Sequence, residues 1–333
     1  MKKPNIGVLL DVGMKNRILG TEETARLRRL STVQFEEFDA LDTAAVKKLI
    51  RETDGIITGW GTPLLTGEIL SGAPKLKIIA HAAGSVKPVC SEAVWERNIR
   101  VTSAAASIGI GVAEYALGLL ITGLKRVHPF AAVTRGGGWA SSGELRRVRE
   151  FYKTTIGVVG AGFVGRRMIK LLRNFDVTIL LFDPFVSRGE AKKLGVEKVS
   201  LNLLLKRSDA VTLHAPSLPS TRHMMNEESL SLMKENAVLV NTARGALIDE
   251  KALVKVLRAG KIFTLLDVTD PEPPAKDSPL RTLKNVVLTP HIAGAVADNC
   301  FRQGAYAVTE LERFFSGKAP LHPVTRKMLG KIA

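Results

Sequence analysis

The sequence predicts an α/β protein built as two doubly wound parallel sheets. Three observations carry that expectation. Short apolar runs alternate with amphipathic stretches twice over, once through residues 1–103 and again from residue 154 onward. Strands alternating with helices in this way imply βαβ units and parallel pairing. A glycine-rich turn follows the first apolar run of the second series, and 333 residues at about 150 per domain suggest two cores.

In the first series the runs 6–10, 33–35, 56–58, 76–80 and 99–102 read as strands, with helical patterns such as 43–52 and 91–97 between them. The start, Met1-Lys2-Lys3-Pro4, is basic, but the apolar stretch behind it stops at Asp11. That is too short for a secretion signal and suits a first strand. A longer helix is expected over 112–127, apolar nearly all round through Ala116, Leu117, Leu119, Leu120 and Ile121, and hence buried between layers. Residues 135–143 (Arg-Gly-Gly-Gly-Trp-Ala-Ser-Ser-Gly) read as a loop. The second series has strands at 155–159, 178–182, 210–213, 237–241, 262–267 and 286–288, and a long last helix over 297–315. The Pro-rich piece 270–279 is expected to be a surface connection, and no internal repeat stands out.

Composition narrows the class. With 45% hydrophobic and 24% charged residues the chain is globular in type. Two cysteines, Cys90 and Cys300, rule out a disulfide framework or a Cys-rich metal site and read as small buried hydrophobes. No apolar run reaches the ~18 residues of a membrane span, so no membrane is expected and a cytoplasmic location is. The unusual number is a net charge of +16, from 48 Lys and Arg against 32 Asp and Glu. The cations are spread along the chain. The one dense cluster, Arg146, Arg147 and Arg149, lies in no nucleic-acid module, so a solvated surface with weak attraction for anions is expected and nucleic-acid binding is not.

The strand 155–159 runs into Gly160-Ala161-Gly162-Phe163-Val164-Gly165 and then a helical stretch. In that setting each glycine has a geometric role. Gly160 permits the tight turn, Gly162 lets a pyrophosphate approach the backbone, and Gly165 lets helix and strand pack closely. Asp183 ends the next strand, near the offset at which a carboxylate accepts hydrogen bonds from the adenosine ribose. It would repel a 2′-phosphate, so this Rossmann-type site is expected to take NAD over NADP, with Arg188 close enough to soften the preference.

Three further segments follow strands of the same series, where open α/β sheets place their ligands. They are Thr242-Ala243-Arg244-Gly245, the 268–273 stretch containing Glu272, and Thr289-Pro290-His291-Ile292-Ala293-Gly294. Reduction of a 2-keto acid by hydride needs these residue types. A guanidinium holds the carboxylate and polarises the carbonyl; an imidazolium donates a proton to the carbonyl oxygen; a carboxylate behind the histidine orients it and favours its charged form. Taken singly, Arg244 reads better as a surface cation, Glu272 as the solvated acid usual among prolines, and His291 as well as a satisfied strand-end histidine. Together, in this order and placement, they favour catalysis. No pair of histidines stands at metal-ligand spacing beside a carboxylate, so no metal is expected. His81 and His214 end strand-like runs and read as structural or cleft-lining; His128, His223 and His322 read as surface residues.

The stretches 158–165, 214–221, 240–249, 267–273 and 288–294 resemble the NAD-dependent D-2-hydroxyacid dehydrogenases, a family that includes lactate, glyoxylate/hydroxypyruvate and 3-phosphoglycerate enzymes. The resemblance implies a catalytic triad of Arg244, Glu272 and His291. It implies a dinucleotide site of Gly160, Gly162, Phe163, Val164, Gly165, Asp183, His214, Pro216, Thr221, Thr242, Ala243, Arg244, Asp267, His291 and Gly294, with Asp267 near the nicotinamide carboxamide. It also implies that the loop 82–86, through Ala83, Gly84 and Ser85, joins Arg244 and His291 in holding the substrate carboxylate. Here Gly84-Ser85-Val86-Lys87 lacks the Asp usual after the loop glycine, which leaves the substrate open. The resemblance further implies a discontinuous flavodoxin-like substrate domain (1–103 and 295–333), a Rossmann NAD-binding domain (104–294) with a cleft between the two, and a homodimer built on the cofactor domain near Trp139. Reduction of a 2-keto acid to a D-2-hydroxy acid, reversibly, is the expected activity; without a further regulatory domain a serine-biosynthesis role is less favoured. The alternatives are a phosphite-type dehydrogenase of the same family, formate being disfavoured by Glu272 where those enzymes place Gln, and a NAD-sensing corepressor-like binding protein.

Overall fold

A computed structural model describes residues 3–35, 41–296 and 299–332. The chain divides into two compact units, Met1–Ile108 with Ala295–Ala333, and Gly109–Gly294. The first unit holds a sheet ordered 323–324, 100–103, 78–81, 55–58, 5–9, 32–34. Its central strands are short and buried on both faces, which is why they read as continuous apolar runs: Gly55–Thr58 and Ile78–His81 have no exposed residue. Pairing is parallel except at one edge, where Pro323–Val324 runs antiparallel to Arg100–Ser103. The sequence reading missed this two-residue strand, too short to show a pattern, and the otherwise parallel sheet gains one antiparallel edge.

Two helices went unread near the start, Val12–Ile18 and Thr21–Leu30. The first is begun by Asp11, whose side chain accepts from the Met14 amide; the acid that ended the apolar run is the helix cap. The last helix, Asn299–Phe315, buries Ala307, Val308 and Leu311 in the core of this unit; its expected start at Ala297 lies outside the described residues. Glu310 on this helix is buried and accepts from the Leu321 and His322 amides, tying the terminal segment down. His322, read as a surface residue, stacks on Tyr306 with ring centroids 5.2 Å apart.

The second unit is a seven-stranded sheet ordered 286–288, 262–266, 237–241, 210–213, 155–159, 178–182, 197–198, parallel at every pairing. Apart from the edge pair Glu197–Lys198, which the sequence reading missed, these are the expected strands within a residue. The helix expected over 112–127 runs Ala105–Leu124, and a second helix, Val127–Arg135, follows it. By length and composition the first is apolar enough to cross a membrane, with mean hydropathy 1.6, which amends the expectation that no segment is. Nor is it buried all round: Ala113, Ala116, Leu119, Leu120 and Leu124 enter the core, while Glu114 is exposed and pairs with Arg167 at 3.8 Å. The glycine-rich loop is shortened too, since Ser142–Leu145 forms a helical turn capped by Ser141. Cys90 and Cys300 are free and buried, and burial pushes the Cys90 thiol up to about 12.

Candidate active site

Because every strand of the second sheet points the same way, the residues just after each strand gather along one edge, with neighbours about 4.8 Å apart. The glycine turn lies there. Gly160 has φ 92°, and a Cβ on it would stand 2.8 Å from the backbone of His214 and Ala215. At Gly165 a Cβ would fall 2.0 Å from the Gly160 carbonyl oxygen, so Phe163–Leu172 lies on its strand only because no side chain intervenes. Gly162, the residue before that helix, would carry a Cβ into open space. The turn thus closes its own backbone contacts and leaves the helix N-terminus approachable, as an anion site requires.

Asp183 is buried and already structural. Its Oδ2 accepts the Ala161 amide at 2.7 Å, and Oδ1 accepts the Phe185 and Val186 amides at 2.8 and 3.1 Å. The acid therefore fixes the glycine turn. An open recess of about 520 Å³ beside it is lined by Phe182, Pro184, Arg188, Lys198 and Ser200 among others. On the next strands, His214 and Thr242 are buried, and His214 Nδ1 and Thr242 Oγ1 have no hydrogen-bond partner. Orphaned polar atoms are rare in a finished interior and fit a group that completes them. His214 Nε2 meets Thr212 Oγ1 at 3.0 Å, and burial lowers the ring to about 3, so it stays neutral. The Thr221 hydroxyl is spent on the loop itself, donating to the Pro216 carbonyl at 2.6 Å.

Arg244, Glu272 and His291 leave three adjacent strands of this sheet. Asn241, at a buried strand end, accepts the Ala243 amide at 3.0 Å and donates to the Arg244 carbonyl at 2.9 Å, which shapes the turn presenting the arginine. Gly245 lets that turn press on the next one: a Cβ there would lie 2.0 Å from the Thr269 backbone. Crowding around the Arg244 guanidinium lowers it from the ordinary arginine value, while the charge of Glu272 acts the other way. His291 Nδ1 meets Glu272 Oε1 at 2.5 Å, with both side chains nearly half exposed. Nδ1–H donates to the carboxylate, which leaves Nε2 to carry the proton exchanged with a ligand.

His291 has φ 54°, a left-handed backbone that a histidine adopts only under constraint, at a cost of about 1–3 kcal/mol. Asp267 supplies the constraint. Buried at 1% exposure, its Oδ1 accepts the Thr289 hydroxyl at 2.6 Å and the Ile292 amide at 3.0 Å, and its Oδ2 accepts the Ala293 amide at 2.9 Å. Its carbonyl takes the His291 amide at 2.9 Å. Oδ2 keeps a lone pair, so a carboxamide donor is compatible with this arrangement. Gly294 is buried at the end of the segment.

The loop 82–86 belongs to the first unit. Ser103 Oγ donates to the Ala83 and Gly84 carbonyls at 3.1 and 2.6 Å, and His81 Nδ1 lies 2.9 Å from Thr58 Oγ1. Burial lowers His81 to about 4, against an opposing hydrogen bond with the Ser85 backbone. The sequence reading gave no role to Ser103, Thr58, Tyr115 or Thr289; only Thr289 lies in a quoted motif, and Tyr115 donates to its hydroxyl at 2.9 Å. Thr289 stands two residues before His291, and that spacing was the available signal. Among the described residues no cluster of His, Cys, Asp and Glu could hold a metal ion.

Comparison with known proteins follows the same lines. A family model described as the NAD-binding domain of D-isomer specific 2-hydroxyacid dehydrogenases matches residues 117–293. The chain is 37% identical over 292 residues to a D-3-phosphoglycerate dehydrogenase of Methanocaldococcus jannaschii, covering 85% of this chain but only 55% of that relative, so it spans about half the relative's length. It is 34% identical over 326 residues to a glyoxylate reductase of Korarchaeum cryptofilum, covering 95% of this chain and 98% of the relative. A crystal structure of a Thermus thermophilus protein superposes with a TM-score of 0.76 at 34% identity, covering 96% of this chain and 100% of that one.

Proposed function

The chain belongs to the D-isomer specific 2-hydroxyacid dehydrogenase family, and on that premise we propose that it reduces a 2-keto acid to a D-2-hydroxy acid with NADH, reversibly. The observation that supports this most is the 2.5 Å pair of His291 and Glu272 on the sheet edge that also presents Arg244 and the glycine turn. A bound nicotinamide supplies the hydride or accepts it. The protein's own part is to hold and to protonate. Arg244 takes the substrate carboxylate and polarises its carbonyl. His291 delivers a proton from Nε2 to the carbonyl oxygen, and Glu272 stabilises the imidazolium that delivery requires. In the oxidative direction the same nitrogen removes the hydroxyl proton.

The dinucleotide is held by Gly160, Gly162, Phe163, Val164 and Gly165 at its pyrophosphate and by Asp183 at its ribose. His214, Pro216, Thr221, Thr242, Ala243, Asp267 and Gly294 line the remainder. The preference for NAD over NADP rests on the buried carboxylate of Asp183; Arg188 in the adjoining recess tempers it. The relative aligned nearly end to end is named a glyoxylate reductase, so glyoxylate heads the substrate series. Glyoxylate, hydroxypyruvate, pyruvate and bulkier 2-keto acids, each followed by NADH absorbance, give the test. Turnover of at least one member is expected; inactivity across the series together with tight NADH binding overturns the enzymatic reading in favour of a sensor.

The assembly we propose is a homodimer through the 127–145 segment. Val127, Val133, Trp139 and Leu145 are all exposed there, and Trp139 keeps 84% of its surface. Light scattering checks this, and a monomer that persists at high concentration contradicts it.

A further inference from the structure

We propose that Tyr115 and Thr289 are positioning residues for His291, acting through Asp267 as one hydrogen-bonded chain. The inference rests on the proposed role of His291 as the proton donor. The chain begins on the Ala105–Leu124 helix, where the Tyr115 hydroxyl donates to Thr289 Oγ1 at 2.9 Å. The Thr289 hydroxyl in turn donates to Asp267 Oδ1 at 2.6 Å. Asp267 then collects the Ile292 and Ala293 amides, and its carbonyl takes the amide of His291 itself. A threonine hydroxyl has one proton to give, so the order of donors is fixed: with Asp267 accepting, the second partner of Oγ1 must be a donor, and Tyr115 is that donor.

The chain matters because of what the segment has to hold. His291 sits at φ 54° between Pro290 and Ile292, and its ring meets Glu272 from that backbone. A left-handed histidine returns to ordinary backbone unless its flanks are fixed. Asp267 fixes the far flank through two amides, and Thr289 fixes the near one. Tyr115 fixes the Thr289 rotor, and consecutive hydrogen bonds in a part-buried chain strengthen one another. The Tyr115 phenol stays protonated for this duty, since burial and the charge of Asp267 raise it against the opposing bond to Thr289. Arg244 and Glu272 are the charged groups that act at the rim; neither contacts Tyr115 or Thr289 through any hydrogen bond in the structure.

Four variants test the chain in the full-length protein: Tyr115→Phe, Thr289→Val, Thr289→Ser, and Tyr115→Phe combined with Thr289→Val. Loss of one neutral hydrogen bond predicts about a fivefold fall in kcat for Tyr115→Phe, and loss of that bond together with the charge-assisted one to Asp267 predicts a fall of about 60-fold or more for Thr289→Val. Thr289→Ser keeps both bonds and returns kcat to within about twofold of wild type. The double variant is no slower than Thr289→Val, because the two residues form one chain. NADH affinity, measured by fluorescence, stays within about twofold throughout.

A second readout needs no turnover. In apo protein with ¹⁵N-labelled histidine, the His291 ring signals, assigned by their loss in His291→Gln, shift in Tyr115→Phe and in Thr289→Val and return in Thr289→Ser. If wild type reduces no 2-keto acid, the functional reading falls while this measurement still judges the chain. Unchanged His291 signals in Tyr115→Phe and Thr289→Val overturn the proposal, and so does a Thr289→Ser variant as impaired as Thr289→Val.

Discussion

Replacing Glu272 by Gln tests the pairing on which the proposed chemistry turns. The substitution keeps the shape and the oxygen that His291 Nδ1 meets at 2.5 Å but removes the negative charge. Both side chains are nearly half exposed, 48% and 41%, so the full strength of a buried charge pair does not apply. Screening leaves about 1 kcal/mol, the upper end for exposed ion pairs, which corresponds to about a fivefold change in rate. Reduction draws its proton from the ring that Glu272 holds in place, so kcat/KM for keto-acid reduction at fixed pH should fall about fivefold in Glu272→Gln. Initial rates from NADH absorbance measure the change. The ratio of wild type to variant should shrink as salt rises, since a half-exposed pair is screened. Equal rates for wild type and variant would refute the reasoning.

Three further outcomes follow from the same structure. His291→Gln removes the proton donor while leaving the glycine turn intact, so turnover should fall by about 10²–10⁴ with NADH affinity unchanged; a parallel loss of NADH binding in fluorescence titration would contradict that division. Gly165→Ala places a Cβ 2.0 Å from the Gly160 carbonyl oxygen, a backbone atom that cannot step aside, so the helix must lift from its strand. A cost of about 1–3 kcal/mol and a NADH affinity at least about tenfold weaker are expected, read by denaturant titration and fluorescence, and an unaffected Kd would argue against the turn as the dinucleotide site. Burial holds His81 at about 4, against about 6.5 in an unfolded chain, so below pH 6.5 the unfolded state binds more protons. The stability associated with neutral His81 is present above pH 6.5 and is lost as pH falls toward 4, by about 3 kcal/mol. Urea midpoints should show that slope, and His81→Asn should flatten it; an equal slope in the variant would sink the assignment.

How much of this was legible in the sequence depended on whether a residue acts alone or through another. The strands of the second unit were readable because burial on both faces makes them largely apolar, as in Ala237–Asn241 and Ile262–Leu266. The two-residue strands Glu197–Lys198 and Pro323–Val324 carry no period and were invisible. The Ala105–Leu124 helix was read seven residues late, because Ala105, Ser107 and Gly109 at its start weaken the apolar pattern without breaking the helix. Gly160, Gly162 and Gly165 could be given roles from spacing alone, and the close contacts at Gly160 and Gly165 have the expected form. Asp183 was legible as an acid at a strand end, but not as the acceptor of three backbone amides. Those bonds come from segments that only tertiary folding brings together. The same holds for Tyr115, which lies 174 residues from Thr289 in the chain and meets it only because the helix packs beside the sheet.

The central claim is that Arg244, Glu272 and His291 serve one bound keto acid beside a nicotinamide ring. A crystal structure of the protein with NADH and oxamate, an unreactive keto-acid mimic, addresses it directly. The account predicts the Arg244 guanidinium on the oxamate carboxylate, His291 Nε2 within hydrogen-bond distance of its carbonyl oxygen, and Glu272 still on Nδ1. Oxamate bound away from Arg244, or a His291 ring turned from the ligand with the dinucleotide in place, would contradict it.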